Sequence, residues 1–130
     1  MIRALKDSVY GILISVDGLG PGQVFFVEVP QRNDQNQNYP VCTYNMLSNN
    51  LLRDTSRDCE ENFIQITLQS PHYEGVEVAE ASLRGKLKIE NLSVSGYDVV
   101  SCVRQFSVEQ RLENRHWQII IQYKIEIQES

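Results

Sequence analysis

One stretch near the end of the chain constrains the fold more than any other. Trp117, Ile119, Ile121, Tyr123, Ile125 and Ile127 occupy every second position, and Gln118, Gln122, Lys124, Glu126 and Gln128 take most of the places between. Successive side chains of a strand point to opposite faces, so residues 117–127 predict one long strand with an apolar face and a mostly polar one. Burying six such side chains contributes roughly 10–15 kcal/mol of gross transfer free energy. An apolar surface of that size needs a helix or a second sheet laid over it.

The rest of the chain supplies two helices and four more strands. Ile2, Leu5, Val9, Ile12 and Val16 recur at helical spacing, and Asp17-Gly18 followed by Gly20-Pro21-Gly22 ends the helix and turns the chain. Residues 24–29, apolar except Glu28, predict a first strand buried on both faces for part of its length. Residues 31–38 hold only Gln, Arg, Asn and Asp between Pro30 and Pro40, a solvated loop. A second strand spans 41–47. A third is carried by Phe63, Ile64, Ile66 and Leu68, and the polar residues 48–62 between them predict a long, protruding hairpin tip. Ser70-Pro71 reads as a helix start, with the serine as cap and the proline in the first turn, and Val76, Ala79, Leu83 and Leu87 form the buried stripe. Gly96 turns the chain into a fourth strand over 99–112, where Val100, Cys102, Phe106 and Val108 share a face broken by Arg104. Glu113-Asn114-Arg115 then makes the turn of a C-terminal hairpin.

The expected architecture is therefore one α+β domain over residues 1–130, in the order α-β-β-β-α-β-β. A mainly antiparallel sheet of about five strands carries both helices on one face. Trp117, Ile119, Ile121, Tyr123, Ile125, Val9, Ile12, Val76, Ala79 and Leu83 are the expected core.

Charge and residue chemistry narrow the function. Twelve Lys and Arg against 17 Asp and Glu leave a formal net charge of -5, which opposes general binding to nucleic acid or an anionic membrane. The three cysteines, Cys42, Cys59 and Cys102, form no CxxC pair and read as reduced thiols. The first residues lack a signal-peptide pattern, and the longest apolar runs are too short to cross a bilayer. Catalysis has little to draw on. His72 and His116 stand at no metal-ligand spacing, no HExxH or GxSxG motif occurs, and the glycines at 18, 20 and 22 lie between helix and strand rather than at a helix N-terminus. Glu74, Glu77 and Glu80 read as a solvated helix face. No enzyme, cofactor or metal site is expected.

The expected tip at residues 48–62 carries the most information. Leu51 and Leu52 are large and apolar in a hydrophilic setting, followed by Arg53, Asp54, Arg57 and Asp58. Two readings stand: the leucines fold back onto the body, or they meet a partner with charge pairs around them.

In its order of elements the chain resembles the bacteriophage tail terminator family. The resemblance rests on the N-terminal helix and glycine turn, the strand from Val24 to Pro30 with its polar loop and Tyr39-Pro40-Val41, the strand from Phe63 to Gln69, the helix beginning at Ser70-Pro71-His72-Tyr73 with Ala79 and Leu83 inward, and the two closing strands. It implies a ring, commonly a hexamer of this same chain, assembled in the host cytoplasm and resident in the tail neck of the virion. Such a ring caps the tail tube protein, stops tube polymerisation and docks a head-connector or stopper protein, while DNA passes through without specific binding. Two alternatives accompany it: another neck component (a head-completion or stopper protein), and an adaptor that binds peptides by strand addition.

Overall fold

A computed structural model of the chain describes residues 2–27, 39–53 and 58–130, with the side chains of Leu52, Arg53 and Asp58 outside that description. Its elements are α1 (Arg3–Leu13), β1 (Val24–Phe26), β2 (Val41–Arg53), β3 (Asp58–Ser70), α2 (Tyr73–Lys86), β4 (Tyr97–Arg111) and β5 (Trp117–Glu129), with a 3-10 turn at Ile89–Asn91 before β4. The five strands form one sheet in the order β1-β2-β3-β5-β4. Every pairing is antiparallel except β1 with β2. The α+β architecture and its element order agree with the expectation.

β5 lies inside the sheet, and its alternation holds throughout: Ile119, Ile121, Tyr123, Ile125 and Ile127 are buried, and Trp117 packs half-buried at the end. Ile64, Ile66 and Leu68 of β3 continue the same apolar face beside them. Helix α2 lays Val76, Ala79 and Leu83 on this surface, and α1 adds Leu5, Val9 and Leu13 to the same core cluster. The two helices are tied at their ends, where the Asp17 backbone N–H donates to Ser82 Oγ at 3.0 Å and Lys86 Nζ donates to the Ser15 carbonyl.

Several boundaries differ from the sequence reading. The buried row of α1 follows positions 5, 9 and 13, which leaves Ile12 half-buried on the flank. The helix ends at Leu13. Val16 still reaches the core through turns in which the Val16 and Leu19 N–H groups bond to the Leu13 and Val16 carbonyls. Strand β1 is three residues long rather than six. It is an edge strand, in which Val24 is buried, Phe25 half-buried and Phe26 exposed. Val27 follows with φ 73°, outside strand geometry. Residues 28–38, which hold the end of the expected strand and its polar loop, lie outside the described residues.

At α2, Ser70 is the last residue of β3 and His72 is the cap residue. Ser70 is buried, and its hydroxyl accepts the His72 N–H at 3.1 Å, bracing the turn ahead of the helix instead of capping it. Gly75 explains itself here: a Cβ at that position would stand 3.1 Å from Ser70 Oγ.

Two larger corrections concern the strands. Residues 48–53 and 58–62 are strand, not loop. β2 runs on to Arg53 and β3 begins at Asp58, and residues 54–57 lie outside the described residues. β3 pairs with β5 as far as Cys59 opposite Gln128, so most of the expected tip is an integral part of the sheet. The polar side chains suit this because they bond across strands: Asn49 to Asn62, Asn50 to Glu61, and Lys124 to Glu61.

The second correction is in β4. Bulges interrupt its register between Val99 and Ser101 and between Arg104 and Phe106. Each extra residue reverses the alternation downstream. Cys102 therefore lies opposite Ile125 and Arg104 opposite Tyr123 on the helix side. Val103, Phe106 and Val108 lie opposite Lys124, Gln122 and Ile120 on the other face. The single apolar face expected for Val100, Cys102, Phe106 and Val108 does not exist.

Candidate assembly surfaces

A sheet with this strand order ends in two margins, and both are open for much of their length. β1 covers β2 only from Cys42 to Tyr44, so the outer edge of β2 from residue 45 to 53 has no strand beside it among the described residues. On the far side, β4 presents its whole outer edge without a strand among the described residues. Unpaired N–H and C=O groups along such edges are templates for a further strand.

The exposed large apolar side chains gather on these margins. Val100, Val103, Phe106 and Val108 on β4 are each nearly half exposed, and Leu47 and Leu51 on β2 are 48% and 62% exposed. Apolar groups in rows beside an unpaired edge cost least when another chain covers them. No lysine lies on either open edge strand; the only described cation with its side chain on β4's central stretch, Arg104, points to the helix side.

The directions of the two margins are related. β2 is antiparallel to β3, β3 to β5 and β5 to β4, so β2 and β4 run in opposite senses. Identical copies set side by side in one orientation would bring β4 of one against β2 of the next as antiparallel neighbours, the geometry of a head-to-tail contact.

The face of the sheet away from the helices is polar and nearly neutral in its centre. Gln65, Thr67 and Gln69 of β3 stand beside Gln118 and Gln122 of β5. Gln118 Oε1 accepts from Gln110 Nε2 at 2.6 Å, and Gln122 Nε2 donates to Gln105 Oε1 at 2.7 Å. Lys124 sits between Glu126 at 3.1 Å and Glu61 at 3.6 Å, and its hydrogen bond to Glu126 is the main cause raising its pKa. The cation is thus matched by two carboxylates.

Of the residues singled out in the sequence, those described fall at one end of this sheet. Leu51 lies opposite Glu60 on the helix side, Leu52 opposite Cys59, and Arg53 opposite Asp58 in the last pair of the β2–β3 ladder. Leu51 does not fold back onto the body. Asp54 and Arg57 lie outside the described residues, as do the side chains of Leu52, Arg53 and Asp58. The margin residues of β4 were missed as a surface, although the crowding of apolar residues on both sides of Arg104 is their signal. Glu80 also departs from the solvated face expected of it. It is half-buried and faces Arg84 Nε at 2.8 Å and Arg104 Nη2 at 2.5 Å.

His116 has local partners. His116 Nδ1 lies 3.0 Å from Gln69 Nε2, and its ring meets Tyr39 edge-on at 5.1 Å. Among the described residues no three His, Cys, Asp or Glu side chains are grouped to hold a metal ion. No helix among them is long and apolar enough to cross a membrane.

Comparison with known proteins gives a fold and no family. No protein-family model matches the chain, and no curated protein matches it. Among solved structures, it is similar to a chain from the virion of a native gene transfer agent particle, with a TM-score of 0.67. The match covers 98% of this chain and 99% of that one at 11% identity, so the fold of this chain is one found in a gene transfer agent virion.

Proposed function

We propose that this protein is a structural component of a phage-like virion, and that it acts as a tail terminator by closing into a ring, commonly of six copies, over the end of the tail tube. The observation that carries the reading is the pair of open, apolar, oppositely directed margins on β2 and β4. A head-to-tail contact between them uses different surfaces on each copy, and it closes when the accumulated rotation completes a turn. One face of the closed ring then occupies the tube end and halts addition of tube subunits. The opposite face offers the head-connector or stopper protein a docking surface. The neutral, amide-rich sheet face and the net charge of -5 suit a channel wall that DNA passes without sticking. The likeness to a chain of a gene transfer agent virion supports the same setting. The role requires no catalysis.

Electron microscopy and light scattering of the purified protein, alone and mixed with tail tube protein, test this directly. Rings seated on tube ends are expected. Rings that ignore tubes but bind a head connector indicate another neck component. A persistent monomer with affinity for extended peptides, using the same open edges, indicates a strand-addition adaptor.

A further inference from the structure

An open concavity of about 420 Å³ lies on the helix side of β4, where the end of α2 and the 3-10 turn pass over the edge strand. Its charged lining is Arg84, Lys88 and Arg104, with Glu90 at the rim. Leu87, Ile89 and Cys102 give it an apolar wall. Counting Glu80 behind the arginines, three cations face two carboxylates, a local excess of positive charge on an acidic chain.

Arg104 is the fixed element. Its side chain is 20% exposed, and it is held against the Tyr123 hydroxyl. Both of its terminal nitrogens are buried, with Nη2 in ion-pair contact with Glu80. Arg84 points its Nε at the same Glu80 and is 61% exposed, leaving the outer end of its guanidinium to solvent.

We infer that this concavity is a receptor for a glutamate side chain carried by a partner protein chain docking at the β4 margin. The exposed guanidinium of Arg84 presents parallel N–H donors that match a carboxylate in pairs, and Lys88 lines the same hollow. The apolar wall accommodates the methylene stem between that carboxylate and its backbone. A phosphate group has no such stem and gains nothing from Leu87, Ile89 and Cys102. DNA would also require a track of cations, whereas these three are confined to one hollow. The inference does not depend on ring closure, because any partner chain reaching this edge with an exposed glutamate satisfies it.

Titration of the ¹⁵N-labelled full chain with a hexaglutamate peptide tests the assignment, read by NMR at the Arg104 Nε–H and the amides of Leu87, Lys88 and Cys102. Saturable shifts confined to these groups are expected, and hexaglutamine should produce none. Arg84→Gln with Lys88→Gln, both at exposed positions, should weaken the interaction at least about tenfold, the loss expected from removing charge-assisted bonds, with an unchanged circular dichroism spectrum. Equal shifts with hexaglutamine, no saturable shift with hexaglutamate, or indifference to the double substitution would overturn the proposal. Tighter saturation of the same groups by inorganic phosphate or a short DNA duplex would overturn it too, reassigning the hollow to phosphate.

Discussion

Asn62 is completely buried, and its side-chain Oδ1 accepts a 2.8 Å hydrogen bond from Nδ2 of Asn49 on the adjacent strand. Its own Nδ2 reaches the Ile125 carbonyl at 3.4 Å on the other side, so one amide joins β2, β3 and β5. This is where β2 and β3 leave their apolar alternation and become polar. A one-residue slip there would meet little hydrophobic penalty, and the amide pair supplies the specificity in its place.

Asn62→Ala should accordingly destabilise the fold by about 1–3 kcal/mol, the cost of breaking a buried, satisfied polar contact. Asn49→Ala should cost less, about 0.5–1.5 kcal/mol, because Asn49 is exposed and water can replace part of its bond. Urea denaturation of the two single variants and the double variant gives the coupling. Additive losses would show that the pair does not act as a unit.

Ile121 lies at the centre of the apolar face of β5 with no exposed surface. Ile121→Ala should destabilise by about 2–5 kcal/mol, through lost transfer energy and the cavity left behind. Val103→Ala, on the half-exposed opposite face, should change stability by no more than about 0.5 kcal/mol. Equal effects in chemical unfolding would contradict the assignment of faces at the β4 bulges.

The two margins can be tested separately. Leu51→Ser with Leu52→Ser should leave the melting temperature of the monomer unchanged while abolishing ring formation or tube capping. Phe106→Lys, which puts a charge beside the free edge of β4, should do the same from the other side. Light scattering and microscopy read the outcome. Rings formed by both variants would move the contact away from the sheet margins, and unfolding of the leucine variant would place those side chains in the core.

Burial lifts the Cys42 thiol from its ordinary 9.0 to about 12. The folded protein therefore holds that proton where the unfolded chain releases it. The contribution is fully present below pH 9 and is lost as pH rises from 9 towards 12, by up to about 4 kcal/mol. Cys42→Ala should lower stability at pH 7 but flatten the decline between pH 9 and 11. Urea midpoints across that range check the slope, and parallel slopes for parent and variant would exclude Cys42 as a source.

The alternation from Trp117 to Ile127 and the helical stripe of Val76, Ala79 and Leu83 could be read without a structure, because each depends only on the repeat of its own backbone. Those two patterns determined that a helix-covered sheet would form, and the turns at Gly18 and Gly96, both at positive φ, marked where the chain changes direction. Leu51 also stood out as an apolar residue in a polar stretch. Tertiary structure decided what no local repeat encodes. Residues 48–53 and 58–62 are strands because β3 continues along β5, and ladder hydrogen bonds accept polar side chains as readily as apolar ones. Phe106 faces away from Cys102 because the bulge between Arg104 and Phe106 reverses the alternation of β4 against β5. Arg104 meets Glu80 only once the helix α2 is laid over that strand. The period of side chains along one segment is set by local covalent geometry, whereas register, bulges and edges belong to pairs of segments and exist only after the chain has closed on itself.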